Sequence, residues 1–268
     1  GDASSSAGVE QEGSRVSAPR IEIDDARKIV RAEGGGVRAV LAPARGDRAN
    51  PTIVGDPSRP TFGKAEKMVF DQSMRTASLS GGAALWQDAS SLFGRDVTLN
   101  DAERSVAAVG EVRAVLVPKP NGSPQQDLRP TVLTSSRLLY REAPEAGANQ
   151  GRADLDGDVV AVRGPFRASG KTGMALIGPE RQVTRLEMTG GVAMSDAAAG
   201  RTGQAEHAVD LPEEGRTILE GSPARVTDRD GSRVSGAILT ITERGRRVEV
   251  TAPEGGKTET IHQTKRDR

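Results

Sequence analysis

Residues 63–81 read GKAEKMVFDQSMRTASLSG and residues 203–221 read GQAEHAVDLPEEGRTILEG, so that Gly, Ala-Glu, Arg-Thr, Leu and a closing Gly recur in the same order over two nineteen-residue stretches. Within the first stretch and just beyond it, apolar residues fall at Met68 and Phe70, then after a polar turn at Ala77, Leu79, Ala83 and Leu85. Both arms have period two, which is the pattern of a β-hairpin with one buried face. A helix would need apolar residues at three-and-four spacing, and glycines interrupt every arm.

The unit recurs along the chain. Residues 94–117 give Val97 and Leu99, a polar Asn-Asp-Ala-Glu-Arg turn, and then alternation from Val106 to Leu116. Residues 15–43 repeat the design and share VRAVL (37–41) with 112–116, while 135–162, 185–194 and 235–252 are looser copies, the last with a tight Glu-Arg-Gly turn. Spacings of 31 residues from Gly63 to Gly94 and 33 from Gly203 to Gly236 set a hairpin period of about thirty residues, as in stacked repeat architectures. A single hairpin of this kind cannot stand alone in water. Side by side, the copies make a continuous apolar interior.

Three stretches break the pattern: the Pro-, Gly- and Asp-rich loops 43–62 and 118–130, and the polar, basic C-terminal end. They divide the chain into N-terminal hairpin repeats (1–118), a loop or linker (119–130), C-terminal hairpin repeats (131–253) and a tail (254–268), with one continuous body as the alternative.

Composition narrows the functions. Lys+Arg and Asp+Glu stand at 37 each, so no net field recruits nucleic acid. There is no cysteine, which removes disulfides and thiolate metal sites, and no apolar run of about 18 residues spans a membrane as a helix. The chain begins Gly-Asp-Ala-Ser rather than with Met and reads as processed or truncated, with any signal peptide or anchor upstream.

Motifs that invite chemistry fail on spacing. In GPFRASGKTG (164–173), five residues rather than four separate Gly164 from Gly170, and the strand-then-helix context of a phosphate loop is missing; an ordinary loop between strands is expected. DLDGD (154–158) starts like a calcium loop, but its glycine comes two places early and Pro165 stands where a bidentate Glu is required; a turn is expected. His207 and His262 are the only histidines, and His207 aligns with Lys67 of the sister copy, which marks a solvated strand position rather than a catalyst. No metal or cofactor site is expected, and no enzyme.

The rib Gly-x-Ala-Glu…Arg-Thr-x-x-Leu-x-Gly, followed by alternations such as GGVAM, and the ending SGAILTITERGRRVEVTAPEGGKTETIHQTKR resemble the OstA-like (organic solvent tolerance) domain of the periplasmic lipopolysaccharide-transport proteins of the LptA and LptC type. The resemblance is carried by 63–118 and 183–265, extends to 15–43 and, loosely, to 130–162. It implies an all-β fold, an antiparallel β-jellyroll of repeated hairpins forming an open V whose interior cradles acyl chains. It also implies a non-enzymatic role in a periplasmic bridge carrying lipopolysaccharide from the inner to the outer membrane. Its partners would be an inner-membrane transport complex, an outer-membrane assembly protein and further copies of the chain, joined by edge-strand pairing. One departure is that Asp210 stands where Phe70 and Tyr140 occupy the equivalent rib position.

Matching ribs assigns the lipid-facing surface to Met68, Phe70, Leu79, Leu85, Val97, Leu99, Leu138, Tyr140, Leu186, Met188, Val192, Met194, Leu219 and Ile241. The competing expectation is a structural β-repeat or adhesin-like scaffold with a filled core and no lipid. A polysaccharide enzyme is disfavoured by one Trp and one Tyr, too few for sugar platforms.

Overall fold

The structure is a computed structural model that describes residues 7–11, 13–42, 53–56, 58–122, 126–143, 150–242, 247–251 and 259–261. Among these the chain forms nineteen strands and no helix. They are β1 (Ala7–Gln11), β2 (Ser14–Ala18), β3 (Arg20–Asp24), β4 (Ile29–Glu33), β5 (Val37–Leu41), β6 (Thr61–Ala65), β7 (Lys67–Asp71), β8 (Thr76–Gln87), β9 (Ser90–Asn100), β10 (Ser105–Leu116), β11 (Thr131–Glu142), β12 (Gly151–Arg163), β13 (Phe166–Ile177), β14 (Val183–Asp196), β15 (Arg201–Leu211), β16 (Arg216–Thr227), β17 (Arg233–Thr242), β18 (Arg247–Thr251) and β19 (Glu259–Ile261).

The ten long strands β8 to β17 form an antiparallel meander in which each pairs with the next. At its N-terminal end the ribs are split in two: β7 and β6 pair with the first and second halves of β8, and β4 and β5 pair with β7 and β6 in turn. At its C-terminal end β18 and β19 share the two halves of β17. The sheet does not close, because among the described residues β1, β3, β18 and β19 each have one neighbour. The expected all-β, antiparallel, hairpin-built fold is the one observed. Loop 118–130 joins β10 and β11, which pair with each other from end to end.

A crease crosses this sheet at the middle of every long strand. In β8, β10, β12 and β14 it is made by two successive residues with positive φ, Gly81-Gly82 (79° and 72°), Gly110-Glu111 (77° and 52°), Gly157-Asp158 (82° and 51°) and Gly190-Gly191 (87° and 66°). Glycine takes this conformation without a Cβ clash, so each pair works as a bulge that bends the strand. The ladder shifts register at each of these points. The alternate strands cross the crease by placing two successive residues outward, so that buried positions step by three, as from Gly94 to Val97 and from Ser135 to Leu138.

The crease divides the sheet into two walls. Wall I holds β3, β4, β7, β18 and the halves of the long strands that meet turns such as 72–75, 101–104 and 212–215. Wall II holds β1, β2, β5, β6, β19 and the halves that meet turns such as 88–89, 164–165 and 197–200. The walls fold face to face over one contiguous apolar cluster.

This geometry explains the repeated sentence. A Cβ placed on Gly63 in wall II would lie 3.3 Å from Leu79 Cδ2 in wall I, and one on Gly203 would lie 2.7 Å from Leu219 Cδ1. A second contact, at an offset of 15 residues rather than 16, links the crease residues in both copies, since a Cβ on Gly81 would meet Glu66 and one on Gly221 would meet the Glu206 backbone nitrogen. The recurring Gly, Glu, Leu and closing Gly are thus two contacts made twice. Arg-Thr is the exception: it stands one place later in the second copy, where Gly215 (φ 58°) takes the left-handed turn position that Arg75 (φ 53°) fills in the first.

Several local expectations are corrected. DLDGD is not a turn but the middle of β12, and RLEMTGGVAM lies within the single strand β14 rather than forming a hairpin. In GPFRASGKTG only Gly164-Pro165 turns, and Phe166 onward is β13. Thr61 and Phe62, assigned to a loop, open β6, and Ile53 and Val54 from the same stretch are buried in the core. The Glu-Arg-Gly turn at 243–245, His262, and residues 252–258 and 262–268 lie outside the described residues.

Candidate functional site

The inner face of wall I is built from cross-strand rows. One runs Met68, Leu79, Val97, Ala108, Leu138, Leu155, Gly173, Met188, Ala208, Leu219, Leu239 and Val250, each residue opposite the next. The next row toward the rim carries Phe70, Leu99, Tyr140, Leu186, Asp210 and Ile241. On wall II, Leu85 and Met194 belong to a row that also holds Leu92, Ala114, Leu133 and Ala168, with Val192 nearer the crease. The fourteen residues assigned from sequence to a lipid-facing surface lie on the inner face of the two walls: thirteen are buried in the cluster and Phe70 is half-buried against it.

The walls interdigitate. Large side chains of one half sit over glycines of the other, Leu79 over Gly63, Leu219 over Gly203, and Val159 over Gly173, whose added Cβ would lie 3.1 Å from Val159 Cγ1. A void between Phe166, Met188, Met194 and Asp210 measures about 10 Å³, the room of about one water. An open hollow of about 300 Å³ lies on the outer side of wall I, over Ala107 and Leu139. As it stands, the interior is packed.

What closes the side opposite the crease is different in kind. Asp210, 6% exposed, accepts hydrogen bonds from Arg163 Nη2 and Thr217 Oγ1, each at 2.9 Å. Arg163 ends its strand on the rim of wall II and Asp210 lies near the rim of wall I, so the pair spans the mouth. The Arg163 guanidinium also stands 5.4 Å from the Phe166 ring centroid and, through Nε, 3.4 Å from Asp127 Oδ2. Asp210 shares its row with Phe70 and Tyr140, so the register expected from sequence is right, and the acidic residue is explained by this pair.

A second bridge lies nearer the N-terminal ribs. Arg181, buried in the loop after β13, donates to Gln87 Oε1 at 3.1 Å across the mouth, and burial pushes its pKa down. Gln87 Nε2 lies 3.1 Å from the carbonyl oxygens of Asp56, Arg59 and Pro60, which ties these three residues to the rim of wall II. The Lys119 amide donates to the Glu180 carbonyl at 2.8 Å, again rim to rim. Asp56 anchors this region; the Ser58 hydroxyl and Lys119 hold its pKa down at about 2. Burial beside Glu142 pushes the Tyr140 phenol pKa upward.

Sequence reasoning did not single out the rim residues Arg163, Gln87 and Arg181, nor the inward row of Leu92 and Leu133. The phase step at Gly94 breaks the alternation that would have linked Leu92 to Val97. Among the described residues no three His, Cys, Asp or Glu side chains converge as a metal site. His207 is half-exposed on the outer face of wall I, with Nδ1 3.1 Å from Glu220 Oε2.

No family model matches the chain, and no curated protein matches it in sequence. Among solved structures it is similar to the crystal structure of LptH, the LptA homologous periplasmic component of the conserved lipopolysaccharide transport device from Pseudomonas aeruginosa. That likeness has 14% sequence identity and a TM-score of 0.44, and covers 53% of this chain and 100% of that one.

Proposed function

We propose that the chain is a non-enzymatic lipopolysaccharide carrier of the bacterial periplasm, which takes acyl chains between its two walls and hands them along a bridge from inner to outer membrane. The observation that carries this reading is the contrast between an inner face that is apolar over twelve successive ribs and a mouth held by polar contacts. Parting the walls to admit alkyl chains exchanges one apolar partner for another, so the hydrophobic cost is small, with each buried methylene worth about 0.8 kcal/mol. Separating the rim contacts returns charged groups to water, and a buried ion pair has little net stability to lose. The rib motifs that resemble the OstA-like domain point the same way.

The edges of β1 and β3 at one end and of β18 and β19 at the other are free among the described residues, and suit strand addition by membrane-complex partners or further copies. A second reading, a scaffold with a filled core, is favoured by the seating of Leu79 and Leu219 on Gly63 and Gly203. Native mass spectrometry of the chain with and without lipopolysaccharide separates the two. A stoichiometric adduct lost in the Leu79→Asp, Met188→Asp variant, with solubility kept, supports the carrier. A chain that stays bare at saturating lipid supports the scaffold.

A further inference from the structure

The chain has six aromatic residues, and three of them lie together on the solvent side of wall II. Phe62 in β6 and Phe93 in β9 are 39% and 42% exposed, and Trp86 in β8 stacks on Phe62 with ring centroids 5.9 Å apart. Ala84, opposite both Lys64 and Phe93, is buried although it belongs to the outer face and not to the core cluster. Exposed cations rim the patch: Arg38, Lys64 and Arg113 follow Phe93 and Ala84 along one cross-strand row. None of the three has an ion pair among the described residues. From Arg38 and Val40 in β5 to Arg233 and Ser235 in β17, the two outward rows contain no Asp or Glu.

We propose that this face docks on an anionic lipid bilayer, with Phe62, Trp86 and Phe93 at headgroup depth and Arg38, Lys64 and Arg113 against the lipid phosphates. The amphipathic Trp86 ring favours the membrane interface, the phenyl rings of Phe62 and Phe93 add apolar area that can be buried there, and unpaired cations beside them are attracted by anionic headgroups. The occupant follows from charge complementarity: an aromatic patch with free cations, set in two outward rows that hold no carboxylate from β5 to β17, fits an extended anionic plane. Trp86 is one residue from the Gln87 rim, so docking would set the mouth beside the bilayer. The inference does not depend on what the interior holds.

Trp86 is the chain's single tryptophan and reports directly on the patch. The full chain is mixed at low salt with vesicles of phosphatidylcholine alone or with phosphatidylglycerol, followed by sedimentation and Trp86 emission. Expected are co-sedimentation and a blue shift with the phosphatidylglycerol vesicles only, quenching by brominated acyl chains, and loss of both in high salt. Lys64→Glu with Arg113→Glu should weaken binding at least about tenfold while far-ultraviolet circular dichroism is unchanged; Arg152→Glu on wall I should leave binding intact. Three results would overturn the proposal: no co-sedimentation with anionic vesicles, a blue shift without co-sedimentation (uptake of single lipids), or binding indifferent to the wall II charge reversals. Lipopolysaccharide adducts in native mass spectra of the charge-reversed variant report the interior separately.

Discussion

On the outer side of wall I, the two cross-strand rows from Lys67 and Val69 to Ile238 and Glu249 carry six carboxylates, Asp96, Asp154, Asp156, Glu187, Glu220 and Glu249; five of them face an arginine and Glu220 faces the His207 imidazole. Arg137 pairs with Asp156, Arg152 with Asp154, Arg185 with Glu187, Arg95 with Asp96, His207 with Glu220 and Arg247 with Glu249. On wall II the two outward rows from Arg38 and Val40 in β5 to Arg233 and Ser235 in β17 have no carboxylate, leave Arg38, Lys64 and Arg113 without an ion pair among the described residues, and expose two phenylalanines. Both walls share the same inward alternation, because burial fixes that face. The outward positions of a one-side-buried antiparallel sheet are free to differ, and here they separate a self-neutralised surface from one that presents its charge.

The largest expected effect lies where the walls meet. Asp210→Ala takes the nearest carboxylate from Arg163, whose side chain is 11% exposed, and should destabilise the fold by about 3–5 kcal/mol in urea unfolding, the cost of an uncompensated charge rather than the net worth of the pair; a loss below about 1 kcal/mol would show that Arg163 does not depend on Asp210 across the mouth. Next comes the interdigitated core. Leu219→Ala should cost about 2–5 kcal/mol and Gly203→Ala, which overpacks against Leu219 and Met194, about 1–3 kcal/mol. The double variant should lose less than the sum, because the new methyl enters the space Leu219 vacates. Strict additivity would mean that Leu219 does not cross from wall I to Gly203.

A smaller effect is tied to pH. Asp56 is held at about 2 against an ordinary value near 3.8, so as pH falls the unfolded chain takes up its proton first. The stability from this group is whole above about pH 3.8 and is lost as pH falls through about 2. Melting curves of the native chain and of Asp56→Asn should therefore differ at pH 5 and converge near pH 2; a difference that persists there contradicts the assignment. Smallest are the outer faces. Arg137→Ala breaks an exposed pair and should cost about 0–1 kcal/mol, less at high salt. Arg113→Ala, with no pair to break, should stay within about 0.5 kcal/mol at any salt. A salt-dependent loss at Arg113 would erase the distinction between the walls.

The strands were legible because one side is buried and period-two alternation survives along most ribs. The crease was not, for two physical reasons. Two-residue bulges such as Gly81-Gly82 and Gly190-Gly191 preserve the parity of alternation, so Leu79 and Leu85, or Met188 and Val192, read as one uninterrupted strand. In the intervening strands the step of three, as from Gly94 to Val97, reads as a gap, which hid Leu92. The cue was present in Gly-x at mid-strand, at 81, 110, 157, 190 and 221. The bridge between Arg163 and Asp210 joins residues 47 apart on different walls, and no local pattern encodes such a contact.

The central claim is that lipid enters between the walls, and the most direct test is a distance across the mouth. Ala197 and Glu213 are exposed in turns on the rims of walls II and I, and the chain has no cysteine of its own, so Ala197→Cys with Glu213→Cys gives a clean pair of spin-label sites. Pulsed electron paramagnetic resonance should show the separation increasing when lipopolysaccharide is bound, with binding confirmed on the same sample by native mass spectrometry. An unchanged distance with lipid bound would place the ligand elsewhere and contradict the account.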